Sequence, residues 1–137
     1  MNEVERGIPI GGTEVVINAD CERSSRRAWL RDFNLAFING DVEATLEYVT
    51  EDVEWTLVGE VTIGGREGMR DWFGSMAGKK ARKVVLDRII VHEDAAAVDG
   101  SYEMESGSKF AFCDIYEFSG TGPDEPISKY TSYVIRS

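Results

Sequence analysis

The stretch FINGDVEATLEYVTEDVEW, residues 37–55, predicts the end of one helix, a second helix and the approach to a strand. Its Asn-Gly pair is typical of a helix C-terminus, because both residues tolerate the left-handed conformation found there. Asp41 is a suitable N-cap for the next helix, whose apolar Val42, Leu46 and Val49 recur one and two turns apart. Helices that lead into a strand indicate a mixed fold.

Helical spacing also extends upstream, from Ser24, and recurs downstream from about Arg66. The apolar positions are Trp29, Phe33, Ala36 and Phe37 in the first helix, and Met69, Trp72, Phe73 and Met76 in the third. VEWTLVGEVTIGG, residues 53–65, predicts two short strands around a Gly-Glu turn. Further strands are predicted to start at Val84, Ala95, Lys109 and Ile127. Helices followed by antiparallel strands predict an α+β fold with helices on one face of a curved sheet.

Composition limits the partners of this chain of 137 residues, a length that fits one domain. The net charge of −10 makes nucleic acid and anionic membranes poor partners. Cys21 and Cys113 are far apart, with no Cys/His cluster, so we expect neither a disulfide nor a metal site, and reduced thiols in a cytoplasmic protein. We also expect no cofactor. Residues 1–22 are interpreted as an N-terminal arm, disordered or docked on a neighbour, and residues 23–137 as the domain.

The strand KFAFCDIYEF, residues 109–118, carries one acid on an otherwise aromatic face. The side chains that share this face are Phe110, Phe112, Asp114, Tyr116 and Phe118. Burial among aromatic rings disfavours the charged form of Asp114 and raises its pKa. Asp114 is therefore a candidate catalytic residue that donates a hydrogen bond or transfers a proton. The alternative is that a bulge or the strand end turns the acid towards water.

The order of the elements, together with FINGDVEATLEYVTEDVEW, GGREGMRDWF and YEFSG, resembles the nuclear transport factor 2-like superfamily. Within it, the chain is similar to SnoaL-like polyketide cyclases and ketosteroid isomerases over about residues 24–135. The resemblance implies a cone, in which three N-terminal helices pack on a strongly curved, mainly antiparallel sheet of mixed order. It also implies an apolar cavity that opens at one end and a homodimer formed through the outer face of the sheet.

The resemblance to the isomerases relates three positions to catalytic groups. Asp114 aligns with an aspartic acid that those enzymes keep protonated in an oxyanion hole. Phe33 stands where they have the oxyanion-hole tyrosine, and Thr56 stands where they have the basic aspartate. A phenyl ring cannot donate a hydrogen bond, and a hydroxyl cannot abstract a proton alone, so steroid isomerisation of that kind is not expected.

Other members of the superfamily suggest further residues to test. Epoxide hydrolases of this fold use an Asp-Arg-Asp arrangement, and here Arg88 lies on the corresponding strand. However, Ile90, and Ser132 and Ile135 on the last strand, stand where acids would be expected, so epoxide hydrolysis is not expected. Cyclase-like members pair an acid with a histidine in many cases. The sole histidine, His92, follows a strand and precedes two acids, so we expect it in an exposed turn rather than in the pocket.

Strand alternation places Trp55 and Thr56 on opposite faces. Hydrophobicity turns Trp55 inward, whereas the family alignment turns Thr56 inward, and without a bulge both cannot be right. The candidate substrate-binding residues are Phe33, Trp55, Thr56, Trp72, Met104, Phe112 and Tyr116.

Two functional hypotheses follow. In the first, the protein binds a small hydrophobic molecule in an apolar pocket and catalyses proton transfer of the isomerase, cyclase or dehydratase type on a carbonyl compound. In the second, it is a non-catalytic ligand-binding or dimeric assembly module.

Overall fold

The computed structural model describes residues 6–10, 13–21, 24–76 and 80–137, and for residues 6–10 the backbone alone. These residues form three helices and one eight-stranded sheet. The helices are α1 (Ser25–Ile38), α2 (Val42–Leu46) and α3 (Gly65–Ser75). The strands are β1 (Arg6–Ile10), β2 (Thr13–Ile17), β3 (Val49–Leu57), β4 (Val61–Gly64), β5 (Ala81–His92), β6 (Ala95–Met104), β7 (Lys109–Phe118) and β8 (Ile127–Arg136).

The sheet has the order β1-β2-β5-β6-β7-β8-β3-β4. Neighbouring strands pair antiparallel except β2 with β5 and β3 with β8, which are parallel. Helical residues such as Leu30, Phe33 and Met69 share one buried core with Val98 and Tyr116 of the sheet. The predicted fold class is therefore confirmed: an α+β cone with three helices on a curved, mainly antiparallel sheet of mixed order.

The predicted helix boundaries around α1 and α2 are formed by the expected side chains. The Ser24 hydroxyl accepts a hydrogen bond from the backbone N–H of Arg27 at 3.2 Å, which caps α1. Gly40 follows α1 with φ +70°, a conformation that few other residues adopt. The Asp41 carboxylate then accepts from the Ala44 N–H at 3.1 Å and caps α2.

Helix α2 is shorter than its apolar spacing predicts. It ends at Leu46, and Val49 is the first residue of β3 instead of the third member of a helical stripe. Strand β8 explains the change, because the Ile127 N–H donates to the Tyr48 carbonyl at 2.8 Å. Val49 and Thr50 are β-branched, which favours the extended conformation.

The second half of the predicted N-terminal arm belongs to the sheet. Residues 13–17 form β2, which pairs in parallel with residues 83–86 of β5 in the same chain. Val15 and Ile17 are buried in the core. For this segment, the interpretation as a disordered or neighbour-docked arm is wrong, because alternate apolar side chains have a place in the core of their own chain. The start of the arm, residues 1–5, lies outside the described residues, and the domain boundary at residue 23 stays a prediction.

The sheet changes register where Gly100 of β6 approaches β5 closely. The pairing shifts between Leu86 and Arg88, opposite Gly100, and bulges of this kind bend a sheet. A Cβ atom on Gly100 would lie 1.8 Å from the Val85 carbonyl oxygen and 3.2 Å from the Phe112 ring. This close approach therefore requires glycine.

Arg26 of α1 anchors the connection between β7 and β8. Its guanidinium donates hydrogen bonds to the carbonyl oxygens of Glu125, at 2.8 Å, and Gly122. The same group lies 3.9 Å from the centre of the Phe118 ring and 4.8 Å from that of Trp29. Arg26 is buried, and burial lowers its pKa, so these contacts offset part of the cost of removing its charge from water.

Candidate functional site

The side chains of β7 alternate between the inner face of the sheet, towards the helices, and the outer face. The inner row consists of Phe110, Phe112, Asp114, Tyr116 and Phe118. Exposure falls along this row: the first two aromatic side chains are half-buried, the last two are buried, and Asp114 between them is 6% exposed. The predicted shared face is thus confirmed, and the alternative in which Asp114 turns towards water is wrong.

Strand β8 shows the same gradient beside β7. Ser132 is buried and pairs with Asp114, whereas Val134 is 42% exposed and pairs with Phe112. Asp114 therefore lies at the boundary between the buried part of the inner face and its more exposed end, which we call the open end. We refer below to the half-buried Tyr102, Phe110 and Phe112 at this end as the aromatic rim.

Asp114 is surrounded by hydroxyl groups. Tyr130 donates a hydrogen bond from its hydroxyl to Asp114 Oδ2 at 3.2 Å. Ser132 stands directly across the strand pair, and its Oγ accepts a hydrogen bond from the indole Nε1 of Trp55 at 2.9 Å. All three partners are buried, so these polar atoms satisfy one another in place of water.

A second polar contact reaches the cluster from helix α1. The side-chain amide of the buried Asn34 donates to the Leu30 carbonyl at 2.9 Å and to the Tyr116 hydroxyl at 3.4 Å. The rings of Tyr116 and Tyr130 stack with their centres 4.8 Å apart. We call Asn34, Trp55, Asp114, Tyr116, Tyr130 and Ser132 the acid cluster.

Burial raises the pKa of Asp114 from its ordinary value of 3.8 to about 7. Hydrogen bonding from Ser132, Tyr130 and Tyr116 opposes this rise but does not cancel it. Asp114 forms no ion pair with any residue that the structure describes. Burial also raises the pKa of Tyr116 and of Tyr130 well above the usual range, so both hydroxyls keep their protons near neutral pH.

Four predicted binding residues pack against the acid cluster or belong to it: Phe33, Trp55, Trp72 and Tyr116. Phe33 contacts Tyr116 and Tyr130 edge-on, with ring centres 5.9 and 5.8 Å apart. Trp55 stacks on Tyr130 at 5.2 Å and touches Trp72 at 4.8 Å. Trp55 is 2% exposed, so hydrophobicity rather than the family alignment predicts the inward residue correctly.

The remaining three predicted binding residues lie outside the acid cluster. Phe112 belongs to the aromatic rim, next to Asp114 on the same face, with its ring 6.1 Å from that of Tyr102. Met104 lies at the end of β6, beyond Tyr102. Thr56 is on the opposite face of β3 from Trp55, and its hydroxyl pairs with that of Thr62 at 3.3 Å. The structure therefore does not bring Thr56 to the acid cluster.

Two hollows on the described surface have volumes of about 260 and 180 Å³, and neither is lined by Asp114. The larger is lined by Lys83, Val85, Ser101, Tyr102, Glu103, Lys109, Phe110 and Ser137. The smaller lies on the outer face and is lined by Arg88, Ile90, Ala97, Asp99 and Cys113.

Other candidate chemistry is limited in the part of the chain that the structure describes. His92 is the last residue of β5, next to the turn; its side chain is 86% exposed and its Nε2 lies 3.8 Å from a Glu93 carboxylate oxygen, which confirms the exposed position. Over the same residues, no cluster of His, Cys, Asp or Glu side chains could hold a metal ion. None of the described helices combines the length and the apolar character needed to cross a membrane.

Comparison with known sequences identifies the family to which this chain belongs. The profile of the SnoaL-like domain matches residues 28–122, more than half of the chain. The chain belongs to the SnoaL-like domain family. This assignment confirms the predicted nuclear transport factor 2-like superfamily, whose members include ligand-binding proteins, isomerases and cyclases. No curated protein matches the sequence.

Solved structures support the fold of this SnoaL-like domain. A nuclear transport factor 2-like protein of unknown function from Burkholderia pseudomallei has a TM-score of 0.69 and 16% identity, with 82% of this chain and 92% of that chain covered. One from Burkholderia xenovorans has a TM-score of 0.68 and 19% identity, over 80% and 82% of the two chains. One from Cytophaga hutchinsonii has a TM-score of 0.60 and 22% identity, over 79% and 97%.

Three members of the acid cluster were not predicted as site residues. Tyr130 and Ser132 lie on β8, after the end of the matched SnoaL-like region. They share a face because they are two residues apart, but only the register of β7 with β8 shows that this face meets Asp114. Asn34 follows the buried Phe33 on α1, and its sequence neighbours give no sign that its amide turns inward.

Proposed function

We propose that this SnoaL-like domain binds a small hydrophobic carbonyl compound at the open end of the inner face and transfers a proton on it through Asp114. The reaction would be of the isomerase, cyclase or dehydratase type and would need no cofactor. One observation carries the proposal: Asp114 is a buried acid that forms no ion pair with the described residues.

Burying such an acid opposes folding unless something compensates for the lost hydration. A pKa of about 7 makes Asp114 suited to give or take a proton near neutral pH, which is where general acid–base catalysis is most efficient. Strongly perturbed acids of this kind are concentrated at functional sites. These facts support a catalytic role over a purely structural one.

The neighbours of Asp114 support an apolar ligand. Phe112 is the next residue on the same face, and Tyr102 and Phe110 continue the aromatic rim towards solvent. Their rings are half-buried, so a planar or ring-shaped molecule could cover the remaining apolar surface. Trp72, also half-buried, would contact such a ligand from α3.

Hydrogen exchange on a simple ketone tests the catalytic step. The probe is 2-tetralone, a neutral bicyclic ketone with exchangeable C–H bonds beside its carbonyl, followed by proton NMR in D2O. The unaltered protein should accelerate exchange over buffer, and Asp114→Asn should abolish the acceleration. Asp99→Asn is the matched control, because Asp99 lies on the outer face, where it pairs with Arg88. Exchange at the buffer rate, or undiminished in Asp114→Asn, contradicts the proposal.

A second candidate function, a dimeric assembly or binding module without chemistry, is favoured by the outer face. Large apolar side chains are exposed there, including Ile90 at 59% and Ile135 at 70%, with Ile115 and Tyr133 between them. Burying them would favour a homodimer in spite of the net charge of −10. Light scattering should show a dimer that Ile115→Lys dissociates, and a monomer of 15.3 kDa at micromolar concentration would contradict it.

A further inference from the structure

We propose that the acid cluster holds Asp114 as an acceptor of hydrogen bonds, so that Asp114 acts as the base of the proposed reaction, with Trp55 and Asn34 as positioning residues. The chemistry of this inference rests on the proposed function, whereas its geometry does not. It differs from the role that the resemblance to ketosteroid isomerases implies, in which the aligned acid is protonated and donates.

The direction of the first hydrogen-bond chain is set by Trp55. An indole N–H can only donate, so the Ser132 oxygen must accept from Trp55 across their 2.9 Å contact. The single hydroxyl proton of Ser132 then remains for another acceptor. Asp114 is directly opposite Ser132 in the β7–β8 pair, and this proton faces the Asp114 carboxyl oxygens and the hydroxyl oxygen of Tyr130, which itself donates to Asp114.

Asn34 sets the direction of the second chain. The Leu30 carbonyl can only accept, so the Asn34 atom 2.9 Å from it must be the amide nitrogen. That nitrogen also lies 3.4 Å from the Tyr116 oxygen and donates to it, which leaves the Tyr116 proton for the acid cluster. Tyr130 donates its own proton to Asp114 Oδ2 at 3.2 Å. Both hydrogen-bond chains therefore end at the carboxyl group of Asp114.

The balance of donors and acceptors favours an ionised carboxyl at this position. Every other member of the acid cluster contributes an N–H or O–H group, and the carboxylate alone accepts without donating. Hydrogen bonds from hydroxyl groups stabilise the charged form of an acid. The cluster thereby offsets part of the cost that burial imposes on the charge.

Among the described residues, the titratable groups whose pKa is raised by the charge of Asp114 are uncharged near neutral pH. They are Cys113 and Tyr116 on its own strand, Tyr102 on β6 and Tyr130 on β8. Burial raises the pKa of each of them, so each keeps its proton. Burial and hydrogen bonds, rather than ion pairs, consequently decide how readily Asp114 ionises.

An acceptor carboxylate completes the proposed reaction without a co-reactant. A carboxylate oxygen of Asp114 takes the proton from a C–H bond next to the ligand carbonyl. The C–H electron pair forms a carbon–carbon double bond, and the carbonyl electron pair moves onto its oxygen. Asp114 then returns the proton to carbon, at the same or another position, and the carbonyl forms again.

A carbon-13 NMR titration of Asp114 in the ligand-free full chain tests the direction of the hydrogen bonds. Ser132→Ala and Tyr130→Phe each remove one donor, so each should raise the pKa of Asp114 by about 1 pH unit. Trp55→Phe should raise it less, because it acts through Ser132. Ser132→Thr retains a hydroxyl and should leave the pKa near that of the unaltered protein. Tyr133→Phe, which removes an exposed hydroxyl on the outer face of β8, is the matched control.

The opposite sign would overturn the proposal. If the carboxyl of Asp114 were a donor, Ser132 and Tyr130 would be its acceptors, and removing either would lower its pKa. An unchanged pKa in both variants would also contradict the acceptor cluster, and each variant is a separate test if the other does not fold. Raised pKa values without exchange of 2-tetralone would support the cluster and contradict only the proposed function.

Discussion

Replacing Asp114 by Asn should change how stability depends on pH, in a direction set by the burial of the carboxyl. Asp114 has a pKa of about 7 in the folded protein against an ordinary value of 3.8. The folded state therefore binds this proton more tightly than the unfolded chain. The resulting contribution to stability is fully present below the unfolded value and is lost as the pH rises through the folded value.

The size of the effect follows from the two values. A change from 3.8 to about 7 corresponds to about 4 kcal/mol of unfolding free energy over the full range. Between about pH 5 and about pH 8, the linkage relation gives a loss of about 2.5 kcal/mol. The carboxyl is only 6% exposed, so solvent screening removes little of this amount.

Urea unfolding followed by circular dichroism measures the effect at several pH values. Asn does not titrate, so the stability of the unaltered protein relative to Asp114→Asn should fall by about 2.5 kcal/mol from about pH 5 to about pH 8. Titration of the other acids largely cancels in this difference. A difference in unfolding free energy between the unaltered protein and Asp114→Asn that stays constant from about pH 5 to about pH 8 would refute the reasoning.

Two further predictions concern the framework of the site. Gly100→Ala should destabilise the protein by about 3 kcal/mol in urea unfolding, because the new methyl group meets the Val85 carbonyl. The control is Gly74→Ala, in open space on α3, which should be neutral or stabilising. Equal effects of the two substitutions on stability would contradict this prediction. Arg26→Lys should speed amide hydrogen exchange in the β7–β8 connection, because an ammonium cannot span two carbonyls while stacking on Phe118. Unchanged exchange there would show that Arg26 is not the anchor.

The elements of this fold are predictable where their signals are local. The caps at Ser24 and Asp41 and the alternation around Asp114 depend on adjacent residues, and each has its expected place. Strand β2 is not predictable in this way, because its parallel partner β5 lies far along the chain. The same is true of Ser132, whose meeting with Asp114 depends on strand register. Thr56 shows the limit of alignment: a residue can match a catalytic position in sequence and still face the other way.

Strand β2 also determines how far the chain can be shortened at its N-terminus without promoting aggregation. A chain that begins at Ser24 would keep all three helices and the pairing of β5 with β6. It would nevertheless leave the backbone N–H and C=O groups of residues 83–86 of β5 without their partners on β2. Exposed strand edges can recruit strands from other molecules. The segment before α1 thus covers part of the edge of β5, and we expect its removal to promote aggregation.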